Sequence, residues 1–513
     1  MIRFAATVFL FILAYISPAQ VKHYSLEPQK RNAMLQEIYS LHPVFPSGQV
    51  HDSLLNAFSY SKLPNLFTLF NNSLTYDARK DVSFHISPSL NLVGGGDLLN
   101  NDYRHNAGLG ITTVFDYKKK LSLEATYRYH HFTNYRHSDN YQQKNRVLPG
   151  GPLPTGNTYH NLRFDMHWRP SQYFHFSGGF DEHFIGNGYR SLMLSDAGYA
   201  YPFFNINTTI WHINYNAMWI NMKDFRDPSI NRWGSFKDKY AAIHYLSWQI
   251  TPRLRAGFYE AIIWQGTNEQ GDRGLEINYL NPIIFFRPVE FAIGSPDNAM
   301  MGIDIDYRIG NQLLYMQLML DEFKYEEMKA MDGWWGNKQA MQLGWRSFDV
   351  MSIENLHTLV EYNFIRPYMY SHRTPLQSYG NYNQPLAHPA GANVMEGIFN
   401  ITYSKDRVYL ALKNTFSIFG TNPAGKNYGG DIFLDYNTRS KEYNNYVGQG
   451  ITNKLQNHVA ELSYLLNKDN RLTIFCRAAY RNHRVEDVSN KGLFFEAGIS
   501  NTPGAAGNSW INY

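Results

Sequence analysis

The chain has 513 residues and a formal net charge of +4, from 47 Lys+Arg against 43 Asp+Glu, so no strong field gathers nucleic acid or an anionic surface. Aromatic residues reach 16% and charged residues only 18%, which excludes a disordered polyelectrolyte and a coiled coil. Beyond residue 20 no apolar stretch approaches the roughly 18 residues of a membrane helix; a helical membrane protein is excluded and a membrane β-barrel is not.

The chain opens with a basic residue, Arg3, an apolar run over 4–16, and small residues at Ser17 and Ala19. That order predicts a secretory signal peptide over 1–19 and an exported protein. Residues 20–80 have a different texture: 28–41 and 53–69 carry helix-like apolar spacing, as in Met34, Leu35, Ile38 and Leu41, with two prolines between them. A small helical segment on the periplasmic side is expected there.

From residue 81 the dominant period is two, that of a strand whose faces meet different surroundings. Leu121, Leu123, Ala125, Tyr127 and Tyr129 alternate with Ser122, Glu124, Thr126, Arg128 and His130. Leu162, Phe164, Met166 and Trp168 alternate with Asn161, Arg163, Asp165 and His167, and Met301, Ile303, Ile305 and Tyr307 with Gly302, Asp304, Asp306 and Arg308. Soluble sandwiches also alternate, so the joining of the strands decides the class. Eight tight turns, such as those near 118–120, 211–212 and 310–312, take turns with nine longer links at about 94–106, 133–158, 185–202, 223–238, 265–298, 323–337, 371–392, 420–456 and 483–490. Short turns on one side and long loops on the other are the outer-membrane arrangement. The expectation is therefore an all-β fold, an 18-stranded (16–18) antiparallel transmembrane β-barrel over 81–500, in the outer membrane, with a tail at 501–513. Outward Leu, Ile, Val and Phe then face lipid, and Tyr and Trp at strand ends suit the interfacial girdles.

Chemistry-bearing residues are sparse. The single cysteine, Cys476, falls in the lipid-facing register, and the 19 His show no zinc-ligand spacing, so no metal or cofactor is expected. The step Gly186-Asn187-Gly188 before Tyr189-Arg190 is a turn with conformational freedom beside a cation and an aromatic. Either it presents Tyr189 and Arg190 to an acidic sugar, with Asp196 orienting the guanidinium, or it folds inward and is pinned by an Arg–carboxylate pair. Arg287 and Glu290, in a segment stiffened by Pro282 and Pro288, form either a luminal constriction or a structural ion pair. Asp304, Asp306 and Arg308 share one face of one strand and form a luminal charge ladder. Tyr-rich loops at 379–382 and 443–446 carry the aromatic faces and amides that sugars stack on and bond to.

Two segments carry a resemblance. Residues 181–196, with Gly186-Asn187-Gly188-Tyr189-Arg190, and residues 278–298, with Asn281-Pro282, Arg287-Pro288 and Gly294-Ser295-Pro296-Asp297-Asn298, resemble the Wzi-type capsule-assembly outer-membrane proteins and, more closely, their gliding-motility RemB-like relatives. The resemblance implies an 18-stranded barrel without enzyme activity that takes part in attachment or assembly of surface polysaccharide, or in gliding. Outer-membrane lipid, surface polysaccharide and other envelope proteins are the implied partners, with no nucleic acid. A channel for polar solutes and an accessory subunit of a secretion or adhesin complex are the competing readings.

Overall fold

The computed structural model describes residues 81–501 apart from 119, 146, 149–150, 153–155, 227–235, 269–270, 283–296 and 468–470, together with the backbone of short strands before residue 80. The expected helices at 28–41 and 53–69 lie outside the described residues, as do Arg287 and Glu290.

Alternation along the chain resolves into a meander of antiparallel strands. The first nine are β1 Val82–Asp97, β2 Asp102–Tyr117, β3 Leu121–Thr133, β4 Thr158–Trp168, β5 Phe174–Asp181, β6 Tyr201–Ile210, β7 Ile213–Asp224, β8 Lys237–Gln249 and β9 Leu254–Gln265. The second nine are β10 Asn298–Ile309, β11 Gln312–Leu320, β12 Gln339–Ser347, β13 Leu356–Ile365, β14 Val394–Lys405, β15 Val408–Thr421, β16 Ile451–Leu465, β17 Thr473–Val485 and β18 Val488–Ser500. Each pairs with its sequence neighbours, and β18 closes on β1 from Phe494↔Asp97 to Ser500↔Asn91. Closure removes the long free edges that lipid, which offers no hydrogen bonds, would not tolerate. Where β18 stops short, the strand Leu74–Arg79 pairs with β1 over Leu74↔Ile86 to Arg79↔Val82 and covers its first five residues.

Eighteen strands match the expectation, but two of the nine long links are tight turns. The links expected at 94–106 and 483–490 shrink to 98–101 and 486–487, because β1, β2, β17 and β18 run on through their polar ends. The short turns 211–212, 310–311, 406–407 and 486–487 each hold a left-handed residue, at Trp211 (φ 56°), Gly310 (φ 54°), Asp406 (φ 53°) and Glu486 (φ 50°).

The outer wall is apolar where lipid meets it: Leu109, Ile111, Leu162, Phe164, Leu343, Leu410 and Ile474 are exposed. Tyr117, Trp168, Tyr173, Trp211, Trp248, Tyr307 and Tyr464 gather at the short-turn end of the strands as an interfacial girdle. Ser122, Thr126, His130, Asp165, His167 and Asp304 point inward and are buried, on the faces their alternation indicated. At the seam Glu496 of β18 sits 3.1 Å from Arg104 of β2 and 3.1 Å from Arg477 of β17, which reaches Glu461 of β16 at 3.0 Å. Charges that would be costly in lipid are thus paired inside.

Candidate functional site in the occluded lumen

The link between β5 and β6 does not stand out from the rim; it turns into the barrel. His183–Ile185 forms a short strand, Ile185 N–H bonds Leu194 O at 2.9 Å, and Leu192, Met193 and Leu194 are fully buried. The backbone of Val44–Pro46 pairs with this strand, from Ile185↔Val44 to His183↔Pro46, so the chain before the barrel also reaches the in-turned loop.

Why the loop stays inside follows from its bonds to the wall. Glu361 of β13 accepts the backbone N–H groups of Tyr189 (2.6 Å) and Arg190 (3.0 Å), and also the Tyr315 hydroxyl (2.7 Å). The Arg190 guanidinium donates to Glu396 of β14 through Nε (3.1 Å) and Nη2 (3.2 Å), the paired geometry that carboxylates favour. Glu396 also has His388 Nε2 at 2.8 Å and accepts from Ser417 Oγ at 3.3 Å. Arg346 Nε donates to Asn187 O at 2.8 Å, and Asn187 Nδ2 donates to Asp306 at 2.7 Å. Gln317 accepts Leu192 N–H at 2.9 Å and donates to Ile185 O at 3.2 Å.

Glycine permits this docking. Gly186 has φ 132°, and a Cβ there would sit 2.3 Å from Gln317 Nε2. At Gly188 a Cβ would meet Arg190 O at 2.4 Å and the Glu361 carboxylate at 2.6 Å, so the backbone approaches the wall closer than any side chain allows.

Beside this anchor an apolar cluster fills part of the lumen toward the long loops, contrary to the usual wet interior. Met218, Ile220 and Met222 of β7, Ala241, Ile243 and Tyr245 of β8, and Tyr259, Ala261 and Ile263 of β9 point inward and pack on Met193, Leu194, Tyr370, Tyr379, Leu386 and Ile432 from the loops. Tyr259 and Tyr379 share a 2.6 Å hydroxyl contact, and Tyr370 Oη donates to Leu192 O at 2.8 Å. Burial holds the His183 imidazole down to about 3, and burial next to Lys338 does the same to His372, so both are neutral at physiological pH.

The residues singled out from sequence have distinct places. Tyr189 and Arg190 lie in the docked loop, with the Arg190 guanidinium over the Tyr189 ring at 5.1 Å. The carboxylate that grips Arg190 in two hydrogen bonds is Glu396, where Asp196 was expected; Asp196 is half-buried farther along the loop. Asp304 and Asp306 point into the lumen and share Arg255 of β9, with Tyr245 Oη donating to Asp304 at 2.9 Å; Arg308 is buried on the same face. Of the link carrying Arg287 and Glu290, the described part lies on the outer wall: Trp219 Nε1 donates to Tyr279 O at 2.8 Å and Trp264 Nε1 to Gly274 O at 3.1 Å. Tyr379 and Tyr382 are buried, whereas Tyr443 and Tyr446 are exposed.

Sequence reasoning missed Glu361, Glu396, Gln317, Gln342, whose Nε2 donates to Arg190 O at 3.0 Å, and His388. Their signal is weak: each of the first four is a polar residue in an inward register position, and nothing local says which loop it will grip.

No family model and no curated protein sequence matches the chain. Among solved structures, Wzi of Escherichia coli, an outer-membrane protein involved in group 1 capsule assembly and a carbohydrate-binding β-barrel, is similar with TM-score 0.51 and 12% identity, over 95% of this chain and 96% of that one. OprD of Pseudomonas aeruginosa is similar with TM-score 0.43 and 10% identity, over 84% and 98% of the two chains. OccK1 of the same organism is similar with TM-score 0.45 and 9% identity, over 82% and 98%. At these identities the likeness is one of fold: a bacterial outer-membrane β-barrel.

Proposed function

We propose that this outer-membrane barrel is a non-enzymatic protein that holds or assembles surface polysaccharide at the cell's outer face. The observation that carries the reading is occlusion. In an open channel, inward side chains line water; here inward residues all round the wall are buried, from Asn91 and Asn106 through Ser177, Asn216, Tyr259, Gln317, Gln342 and Glu396 to Asn457 and Arg477. A barrel whose lumen is filled in this way leaves its long-loop end as the working surface. The shared fold with a carbohydrate-binding barrel supports this choice, and so does the resemblance of residues 181–196 and 278–298 to the capsule-assembly and RemB-like proteins. Attachment of glycan to the cell and gliding over a surface are both served by such a face.

The test has two arms. Purified barrel in a planar bilayer is expected to be electrically silent, and cells lacking the protein are expected to shed surface polysaccharide that the complemented cells retain. Steady ohmic conductance together with unchanged polysaccharide retention would refute the proposal.

A further inference from the structure

The link between β11 and β12, residues 321–338, and the link between β15 and β16, residues 422–450, meet at the long-loop rim in a clasp made by backbone. Asn444 N–H bonds Asp332 O at 2.8 Å, Asn445 N–H bonds Gly333 O at 3.0 Å, and Trp335 N–H bonds Glu442 O at 2.9 Å. Asn445 Nδ2 adds a bond to Gly333 O at 3.1 Å, and Gln449 Nε2 ties Asn445 (2.8 Å) to Tyr428 O (2.9 Å). Two loops whose paired residues are 107 to 112 apart in sequence are thereby held in one geometry before any ligand arrives, which removes much of the ordering cost of binding.

Aromatic rings stand on this clasp. Glu442 Oε1 accepts both indole N–H groups, from Trp334 at 3.1 Å and Trp335 at 2.9 Å, while its other oxygen takes Arg439 Nε at 2.7 Å. Arg439 lies 4.3 Å over the Trp335 ring and covers it. Trp334 is half-buried, and Tyr443 and Tyr446 beside it are 41% and 60% exposed. The oxygens of the glutamate are thus taken by two indoles and a guanidinium, and its charge is balanced by Arg439. Lys441 is different: its Nζ sits 5.5 Å from the Tyr446 ring and 5.8 Å from the Tyr428 ring, and among the described residues no carboxylate lies within ion-pair reach of it.

Fixed aromatic faces, half-buried in Trp334 with Lys324 Nζ 5.9 Å from its ring and exposed in Tyr446, beside a lysine that no described carboxylate pairs, suit a sugar ring with an apolar C–H face and a pendant carboxylate. The geometry points to a binding site for an acidic, uronate-bearing polysaccharide on this clasp, in which Trp334 and Tyr446 stack on sugar rings and Lys441 takes the carboxylate. It rests on the proposed function and names the ligand class and the residues that read it. A neutral glycan would use the rings but leave the lysine idle.

Polygalacturonate and dextran, one carboxylated and one neutral, are titrated calorimetrically into the purified full-length barrel in detergent micelles. Folding of each variant is checked by its heat-modifiable migration. The site predicts tight polygalacturonate binding, a loss of about tenfold in Lys441→Ala and in Tyr446→Ala, retention in Lys441→Arg, and dextran binding that is weaker and unchanged by Lys441→Ala. The inference is overturned if folded Lys441→Ala and Tyr446→Ala bind polygalacturonate like the parent, or if dextran binds equally well. It is also overturned if the parent binds neither. In this titration the reading beneath it falls as well if the parent also fails to bind polysaccharide extracted from its own cells.

Discussion

Removing Glu396 is the sharpest test of what keeps the lumen shut. Its side chain is fully buried, and the Arg190 side chain it grips is 8% exposed. In Glu396→Ala the guanidinium loses two acceptor oxygens, His388 Nε2 loses its 2.8 Å partner and Ser417 Oγ its 3.3 Å one. Breaking a buried pair from one side leaves an uncompensated charge and costs about 3–5 kcal/mol, more than the pair contributes relative to neutral packing. The barrel wall keeps its ladders, so the cost falls on the docked state of the loop, and the ratio of undocked to docked loop rises by about a hundred- to several-thousand-fold. Glu361 still holds Tyr189 and Arg190 by their N–H groups, so release is intermittent. Single-channel recording in planar bilayers is the assay: silent parent, flickering openings in Glu396→Ala, and fewer openings in Arg190→Ala/Glu396→Ala, where no lone charge remains. A Glu396→Ala barrel as silent and as resistant to heat as the parent would refute the reasoning.

Four further outcomes are expected. Gly188→Ala drives a methyl into Arg190 O and the Glu361 carboxylate, so the loop undocks and conductance appears even with every charge in place; continued silence would contradict the close approach. Lys338→Met leaves the buried Asp321 carboxylate, 3.0 Å from Lys338 Nζ, with the Tyr370 N–H at 3.1 Å as its donor among the described residues, at a cost of about 3–5 kcal/mol. Limited proteolysis should then cut 321–338 and 366–393 faster. His372 is buried neutral with its proton affinity lowered to about 3, so the stability it contributes is present above the ordinary histidine value of about 6.5 and is lost as pH falls below it, by up to about 1.4 kcal/mol per pH unit. Protection of 366–393 from protease should weaken between about pH 6 and 4 and weaken less in His372→Gln. Leu109→Arg places a charge at mid-strand on the lipid face and should lower the refolding free energy in bilayers by about 2–4 kcal/mol; an unchanged value would mean that this face does not meet lipid.

The period-two pattern at 121–131, 161–168 and 301–308 already separates the faces, because a strand in a membrane wall has only two sides and lipid tolerates charge on neither ladder nor side chain. Ser122, Thr126 and Asp165 are inward and Leu162 and Phe164 outward, as that pattern demands. Eighteen strands follow from counting links, since each must reverse the chain. What the period does not show is how apolar the lumen is: Met218, Ile220 and Met222 sit on the lumen face under the loops that cover them. Turn lengths at 98–101 and 486–487 were overestimated because polar residues near a strand end look like loop.

The candidate site was legible only as ingredients. Gly186, Gly188 and Arg190 announce a tight turn with a cation, yet the carboxylate that grips the guanidinium is 206 residues away on β14, and the two loops of the rim clasp are paired by backbone atoms that carry no sequence identity. Local chemistry determined by itself that the chain would build an apolar-walled cylinder, because alternation and link length act between neighbours. Only the closed barrel decided which loop fills it and which tyrosines remain outside, because those contacts join distant residues that meet once the circumference is complete.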